Sequence, residues 1–130
     1  MFLDTSGLFA YLSETEAKHS RARSLLETYE PSFTHSLVLV EFIALANARN
    51  FSRAKALEFV SEIMHHPIVD VVWVDRPRIL HALSFLGMRL DKTYSLCDAV
   101  SFQLMSERRI EKALTTDHHF EQEGFSALLR

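Results

Sequence analysis

Apolar and polar positions along the chain alternate between two spacings. The opening "MFL" is a short apolar run that stops at Asp4-Thr5-Ser6, and the "GLFAYL" behind it begins a helix that Thr5 or Ser6 would cap. Between Glu14 and Tyr29, the positions Ala17, Ala22, Leu25, Leu26 and Tyr29 recur at helical spacing among charges, until Pro31 stops the pattern. "SFTHS" alternates like a brief strand and leads into an apolar helix that ends near Asn50. Another amphipathic helix is expected over Ser52 to His66, with Leu57, Val60, Ile63 and Met64 on one side and Pro67 closing it. "IVDVVWV", β-branched and aromatic, is the clearest strand, and it places Trp73 in buried sheet. A helix over Pro77 to Leu90, a polar connection "DKTYS" and a helix over Leu96 to Arg109 follow. "KALTTD" then reads as a short strand, "HHFEQEG" as a helical turn ending at Gly124, and "FSALL" as an edge strand.

Strands that alternate with helices predict an α/β fold whose central sheet is mostly parallel and flanked by helices on both faces. The 130 residues, 48% hydrophobic and 24% charged, fit one domain over residues 1–130, with no repeat or linker to divide it. No apolar run approaches the roughly 20 residues of a spanning helix, and the start lacks a basic region before its apolar part. A protein that keeps its N-terminus and does not enter a membrane is expected. Cys97 is the only cysteine, which fits a core residue in a reducing compartment, hence the cytoplasm. A net charge of -3 argues against wrapping nucleic acid by bulk electrostatics. A local basic rim of Arg49, Arg53, Arg89 and Lys92 stays open beside the alternative of a solvated surface.

The chemistry lies in the acids. "LVLVEFIALANA" carries one carboxylate, Glu41, in aliphatic company, and a buried carboxylate needs compensation. Asp4 and Asp117 follow predicted strands, and in open α/β sheets sites form where strands end at their carboxyl edge. Asp98 stands in the first turn of the helix "SLCDAVSFQLM". Four carboxylates on one rim repel unless cations sit between them, and all-oxygen ligation suits Mg2+ or Mn2+ better than zinc. Each acid also has a plainer reading. Asp4 and Asp117 can cap the helices that follow them, and Ser95 with Asp98 fits a capping box. Glu41 can pair with a lysine or arginine. His118 and His119 are expected to face solvent or cap a short helix, with metal or phosphate contact as the alternative.

Four stretches, "FLDTSGLFAYL", "LVEFIALANA", "DKTYSLCDAVSFQLM" and "KALTTDHHFEQEGF", together resemble the PIN-domain family of metal-dependent nucleases, in particular the VapC-like toxins of prokaryotic toxin-antitoxin pairs. The resemblance implies that Asp4, Glu41, Asp98 and Asp117 form an acidic quartet holding Mg2+, with Mn2+ as substitute. It further implies Ser6, Thr116 and Lys92 as supporting or substrate contacts. An RNA substrate, single-stranded or looped, an antitoxin protein and a homodimer are also implied. Gly7 and Cys97 fall where the family pattern is expected to vary. Two other classes stay open on the residues. One is a catalytically weak or silent PIN-like module that binds RNA or protein. The other is a phosphotransfer domain with an aspartate nucleophile, although Ser6 stands where such enzymes want a second aspartate.

Overall fold

The computed structural model describes every residue except Tyr29. Its elements in chain order are β1 (Phe2–Leu3), α1 (Thr5–Leu12), α2 (His19–Leu26), β2 (Ser32–His35), α3 (Ser36–Ala48), α4 (Arg53–His65), β3 (Val69–Val72), α5 (Arg76–Gly87), α6 (Leu96–Arg108), β4 (Lys112–Leu114), α7 (His118–Gln122) and β5 (Ser126–Ala127). Every strand pairing is parallel and the strand order is β3-β2-β1-β4-β5. The chain therefore builds outward from β1 to β3, then crosses back to β4 and builds the other way. Right-handed crossovers put the helices of the two halves on opposite faces. Packing agrees, since α1 contacts α2 and α3 and α3 contacts α4, whereas α5 and α7 contact α6.

The central strands are short and buried on both faces. Phe2, Leu3, Phe33, Ala113 and Leu114 are buried, and Phe2 packs on the rings of Phe33 and Phe120 from opposite halves of the molecule. The expected helix over Glu14 to Tyr29 forms only over His19–Leu26. Residues 14–18 turn instead, with the Glu16 N–H donating to the Ser13 carbonyl at 3.1 Å, and Ala17 is exposed. The expected last position of that pattern, Tyr29, lies outside the described residues. "IVDVVWV" does form a strand, but at the sheet's edge, and Trp73 lies beyond its end with 68% of its surface exposed. A β-branched, aromatic run fits an edge strand as well as a buried one, so composition alone did not place it.

Gly7 corrects the expectation of a variable position. A Cβ there would overlap the carbonyl of Leu114 in β4, so α1 lies directly against the sheet backbone at Gly7. Gly7→Ala should therefore force α1 away from β4 and destabilise the protein by about 3 kcal/mol, as overpacking does. Urea unfolding measures this, and a wild-type midpoint would show that the contact relaxes without cost.

Candidate metal centre at the carboxyl edge of the sheet

β1 and β4 pair in register, Leu3 opposite Leu114, at the point where the strand order reverses. The residues that follow them must emerge side by side, and in open α/β sheets this crevice is where ligands bind. Asp4 leaves β1 there, Thr115 leaves β4, and Asp117 comes two residues later. Across the gap, α6 begins with Asp98 and α3 brings in Glu41.

Asp4 is 5% exposed and occupies the N-cap position of α1, but its side chain makes no capping bond. Its Oδ2 instead accepts hydrogen bonds from Thr115 Oγ1 at 2.7 Å and Ser6 Oγ at 3.2 Å. Neither Thr5 nor Ser6 caps the helix as the sequence suggested. The Ser6 hydroxyl lies 3.0 Å from Thr115 Oγ1 and accepts the Thr116 N–H at 3.0 Å. Burial raises the Asp4 carboxyl to about 7, against the Thr115 hydroxyl and the Thr5 backbone that lower it, and Asp98 and Glu41 add repulsion.

Asp98 does cap its helix. Ser95 Oγ accepts the Asp98 N–H at 3.0 Å, and Asp98 Oδ2 accepts the Ser95 N–H at 2.9 Å. The same oxygen also lies 3.1 Å from His119 Nδ1. Asp117 caps α7 through its Oδ1, which accepts the His119 N–H at 2.9 Å, and its Oδ2 lies 3.4 Å from His119 Nδ1. Capping and site geometry are thus not alternatives for these two acids. A cap bond fixes each carboxylate and leaves it directed at the crevice.

Glu41 is not buried, which removes the reason the sequence gave for it. The buried stripe of α3 is Val38, Leu39, Phe42 and Ala46, whereas Glu41 flanks it and Val40 is 70% exposed. A helix apolar on every side reads as buried all round even when one stripe alone packs. Glu41 still lies near the site, because its charge acts on Asp4 and on the buried thiol of Cys97.

Two residues were missed from sequence and one was placed wrongly. Thr115, fully buried, is the hydroxyl that holds Asp4, while Thr116 contributes its N–H and has an exposed side chain. His35 is also fully buried. Its Nε2 lies 2.8 Å from Ser101 Oγ, which donates in turn to the Cys97 carbonyl at 2.8 Å, so the starts of α3 and α6 are joined behind the site. Because the Ser101 proton is spent on that carbonyl, Nε2 must donate, and burial holds the imidazole neutral by pushing it down to about 4. His119 does not face solvent: its side chain is 15% exposed and lies between Asp98 and Asp117, while His118 is 53% exposed.

The basic rim does not assemble as expected. Arg49 pairs with Glu16 and Arg53 bonds Asn47 at the far end of α3, roughly 12 Å along the helix from Glu41. Arg89 pairs with Glu123 at 2.9 Å. Lys92 flanks the site next to Thr93 and pairs only with exposed Asp91, at 3.7 Å. Among the described residues, no lysine or arginine pairs with any of the four acids, and the groups in ion-pair range are the two histidines. Asp117, His118 and His119 bring ligand atoms within 4.8 Å of one another. Asp4, Glu41 and Asp98 stand outside that group, but Asp4 is tied to it through Thr115, whose Oγ1 accepts the Asp117 N–H at 3.0 Å, and Asp98 through His119 Nδ1 at 3.1 Å. A desolvated carboxylate beside other acids, with no lysine or arginine paired to them among the described residues, is a donor set that fits a divalent cation.

Comparison with known proteins agrees with this geometry. The PIN domain family model matches residues 1–125. The 23S rRNA-specific endonuclease VapC20 of Mycobacterium tuberculosis is 30% identical over 126 residues, covering 96% of this chain and 95% of the relative, in each of two strains. The crystal structure of VapC20, described as a Sarcin-Ricin loop cleaving toxin, superposes with a TM-score of 0.87 at 28% identity over 96% of this chain and 95% of that one. The chain belongs to the PIN-domain family and is similar to VapC20 over nearly its whole length.

The Asp4 environment generates a pH test. A carboxyl held near 7 in the folded state, against 3.8 ordinarily, favours the folded protein fully below about pH 4 and ceases to as pH rises through 7. Removing the charge should therefore help more at higher pH. In EDTA, Asp4→Asn should gain stability relative to wild type as pH rises from 4 to 8, by up to roughly 4 kcal/mol. His35 slopes the opposite way, losing stability as pH falls below 6.5, but does so equally in both proteins. Urea midpoints across this range decide the matter, and parallel curves would remove the desolvated carboxylate.

Proposed function

We propose that this protein is a divalent-metal-dependent endoribonuclease that hydrolyses RNA phosphodiester bonds at the β1/β4 edge, acting as the toxin of a toxin-antitoxin pair. The observation that carries the reading is the convergence of Asp4, Asp98 and Asp117 with Glu41 at one sheet edge, with Asp4 desolvated and no lysine or arginine among the described residues paired with the set. Asp4, Asp98 and Asp117 would hold Mg2+, or Mn2+ in its place, and Glu41 would bind directly or through water. A bound ion supplies a polarised phosphoryl oxygen and a water acidic enough to attack near neutral pH.

The chain's own residues supply the positioning. Ser6 and Thr115 fix the Asp4 carboxylate, the Ser95 box fixes Asp98, and the α7 cap fixes Asp117. Lys92, whose exposed pair with Asp91 contributes little, would meet the substrate backbone. An open edge of this kind suits unpaired RNA, whose bases can splay out. The assigned rRNA specificity of the VapC20 relative supports RNA as the substrate class. No helix among the described residues is long and apolar enough to cross a membrane. A cytoplasmic toxin, restrained by an antitoxin and self-associating as a homodimer, belongs to the same reading.

Labelled RNA incubated with pure protein should be cut with Mg2+ or Mn2+ and left intact with EDTA. Asp4→Asn and Asp98→Asn should each lower cleavage by on the order of a hundredfold or more. Mg2+ should raise the melting temperature of the wild type and much less that of the variants. If Asp98→Asn cuts at the wild-type rate while Asp4→Asn is dead, Asp98 is a cap alone. Metal binding without any cleavage would favour a silent binding module.

A further inference from the structure

We propose that His119 is itself a metal ligand, adding an imidazole nitrogen to the carboxylates of Asp98 and Asp117, so that the pocket takes Zn2+ as a tight ion that competes with the activating one. The inference rests on the metal-dependent reading above and concerns a residue outside the acidic quartet. Zinc bonds of about 2.0–2.2 Å at tetrahedral angles set neighbouring donor atoms about 3.3–3.5 Å apart. His119 Nδ1 lies 3.1 Å from Asp98 Oδ2 and 3.4 Å from Asp117 Oδ2. The His119 nitrogen thus already stands at donor spacing from one oxygen of each carboxylate.

The ring is held from behind as a ligating histidine is. Its other nitrogen, Nε2, lies 3.1 Å from Thr93 Oγ1, where it can give its N–H and leave Nδ1 to the crevice. The ring meets Tyr94 edge to face at 5.2 Å, and the Tyr94 hydroxyl donates to Glu123 at 3.1 Å. From the other side, the His119 N–H is bound to Asp117 Oδ1, so one turn of backbone locks the imidazole beside the carboxylate. His118 brings a further ring nitrogen near this group. A hard Mg2+ ion gains little from nitrogen, whereas zinc gains much. Zinc would be drawn toward α7, where Asp117, His118 and His119 bring ligand atoms within 4.8 Å of one another and Asp98 is joined through His119, and away from Asp4.

Calorimetric titration of Zn2+ and Mg2+ into wild type and His119→Gln tests the assignment, with visible absorption of the Co2+ form as a spectroscopic reading of nitrogen in the coordination shell. The variant should lose zinc affinity by about tenfold or more. Its Mg2+ affinity should stay within about threefold. The Co2+ bands should weaken or shift, and zinc inhibition of Mg2+-dependent cleavage should be relieved. Equal losses for both metals would overturn the proposal and leave His119 as a positioning residue for Asp98, and no loss would overturn it outright. Should His119→Gln fail to fold, judged by its melting in EDTA, His119→Asn replaces it under the same criteria. A wild type that binds neither metal refutes the metal-dependent reading itself. One that binds Mg2+ but holds zinc independently of His119 refutes this inference alone.

Discussion

The contact on which the site depends is the hydrogen bond from Thr115 to Asp4, made possible by β1 and β4 lying side by side. Those two strands are separated by almost the whole chain, and parallel pairing aligns Leu3 with Leu114 so that the next residues leave the sheet together. Gly7 lets α1 approach the β4 backbone closely enough for Ser6 to reach Thr115 and the Thr116 N–H as well. A single hydroxyl network therefore joins the first loop to the fourth βα loop. Without it, Asp4 would be a desolvated carboxyl with nothing to hold it, a costly group that would protonate or expose itself.

Electrostatics explains why such an arrangement is stable yet reactive. The acids are not neutralised by arginine, as buried carboxylates in structural ion pairs are, and the pairs that do form here, such as Arg78 with Glu107 or Arg108 with Asp70, lie elsewhere. What the folded chain supplies instead is fixed hydrogen bonds to Asp4, Asp98 and Asp117 and one imidazole between two of them. Groups held this way need little reorganisation when a cation arrives, which is the physical meaning of a preorganised site. The neutral His35, wedged between Phe2 and Ser101, ties the start of α3 to the start of α6 and keeps Glu41 and Asp98 on facing elements.

Apolar periodicity marked nearly every element, and the two aspartates after "MFL" and "ALTT" marked the edge, because strand ends and helix starts have local chemical signatures. The capping box at Ser95 and Asp98 was legible for the same reason, since both partners lie within one turn. Burial was less legible. The aliphatic run around Glu41 and the β-branched run ending in Trp73 both looked interior, and both leave side chains in solvent. A run's hydrophobicity records how much of it can be buried, but its neighbours decide which face is.

By itself, the sequence determined an α/β fold with a largely parallel sheet, the order of its elements and the four acids that meet at its edge, since these follow from spacing and from residue chemistry within a few positions. Only the tertiary structure decided that Thr115 rather than Thr116 serves Asp4, that Gly7 cannot carry a side chain, and that His119 turns inward between Asp98 and Asp117. Each of those facts depends on a contact between segments far apart in the chain. No local propensity encodes which strand will lie beside β1, and the strand that does sets every distance in the site.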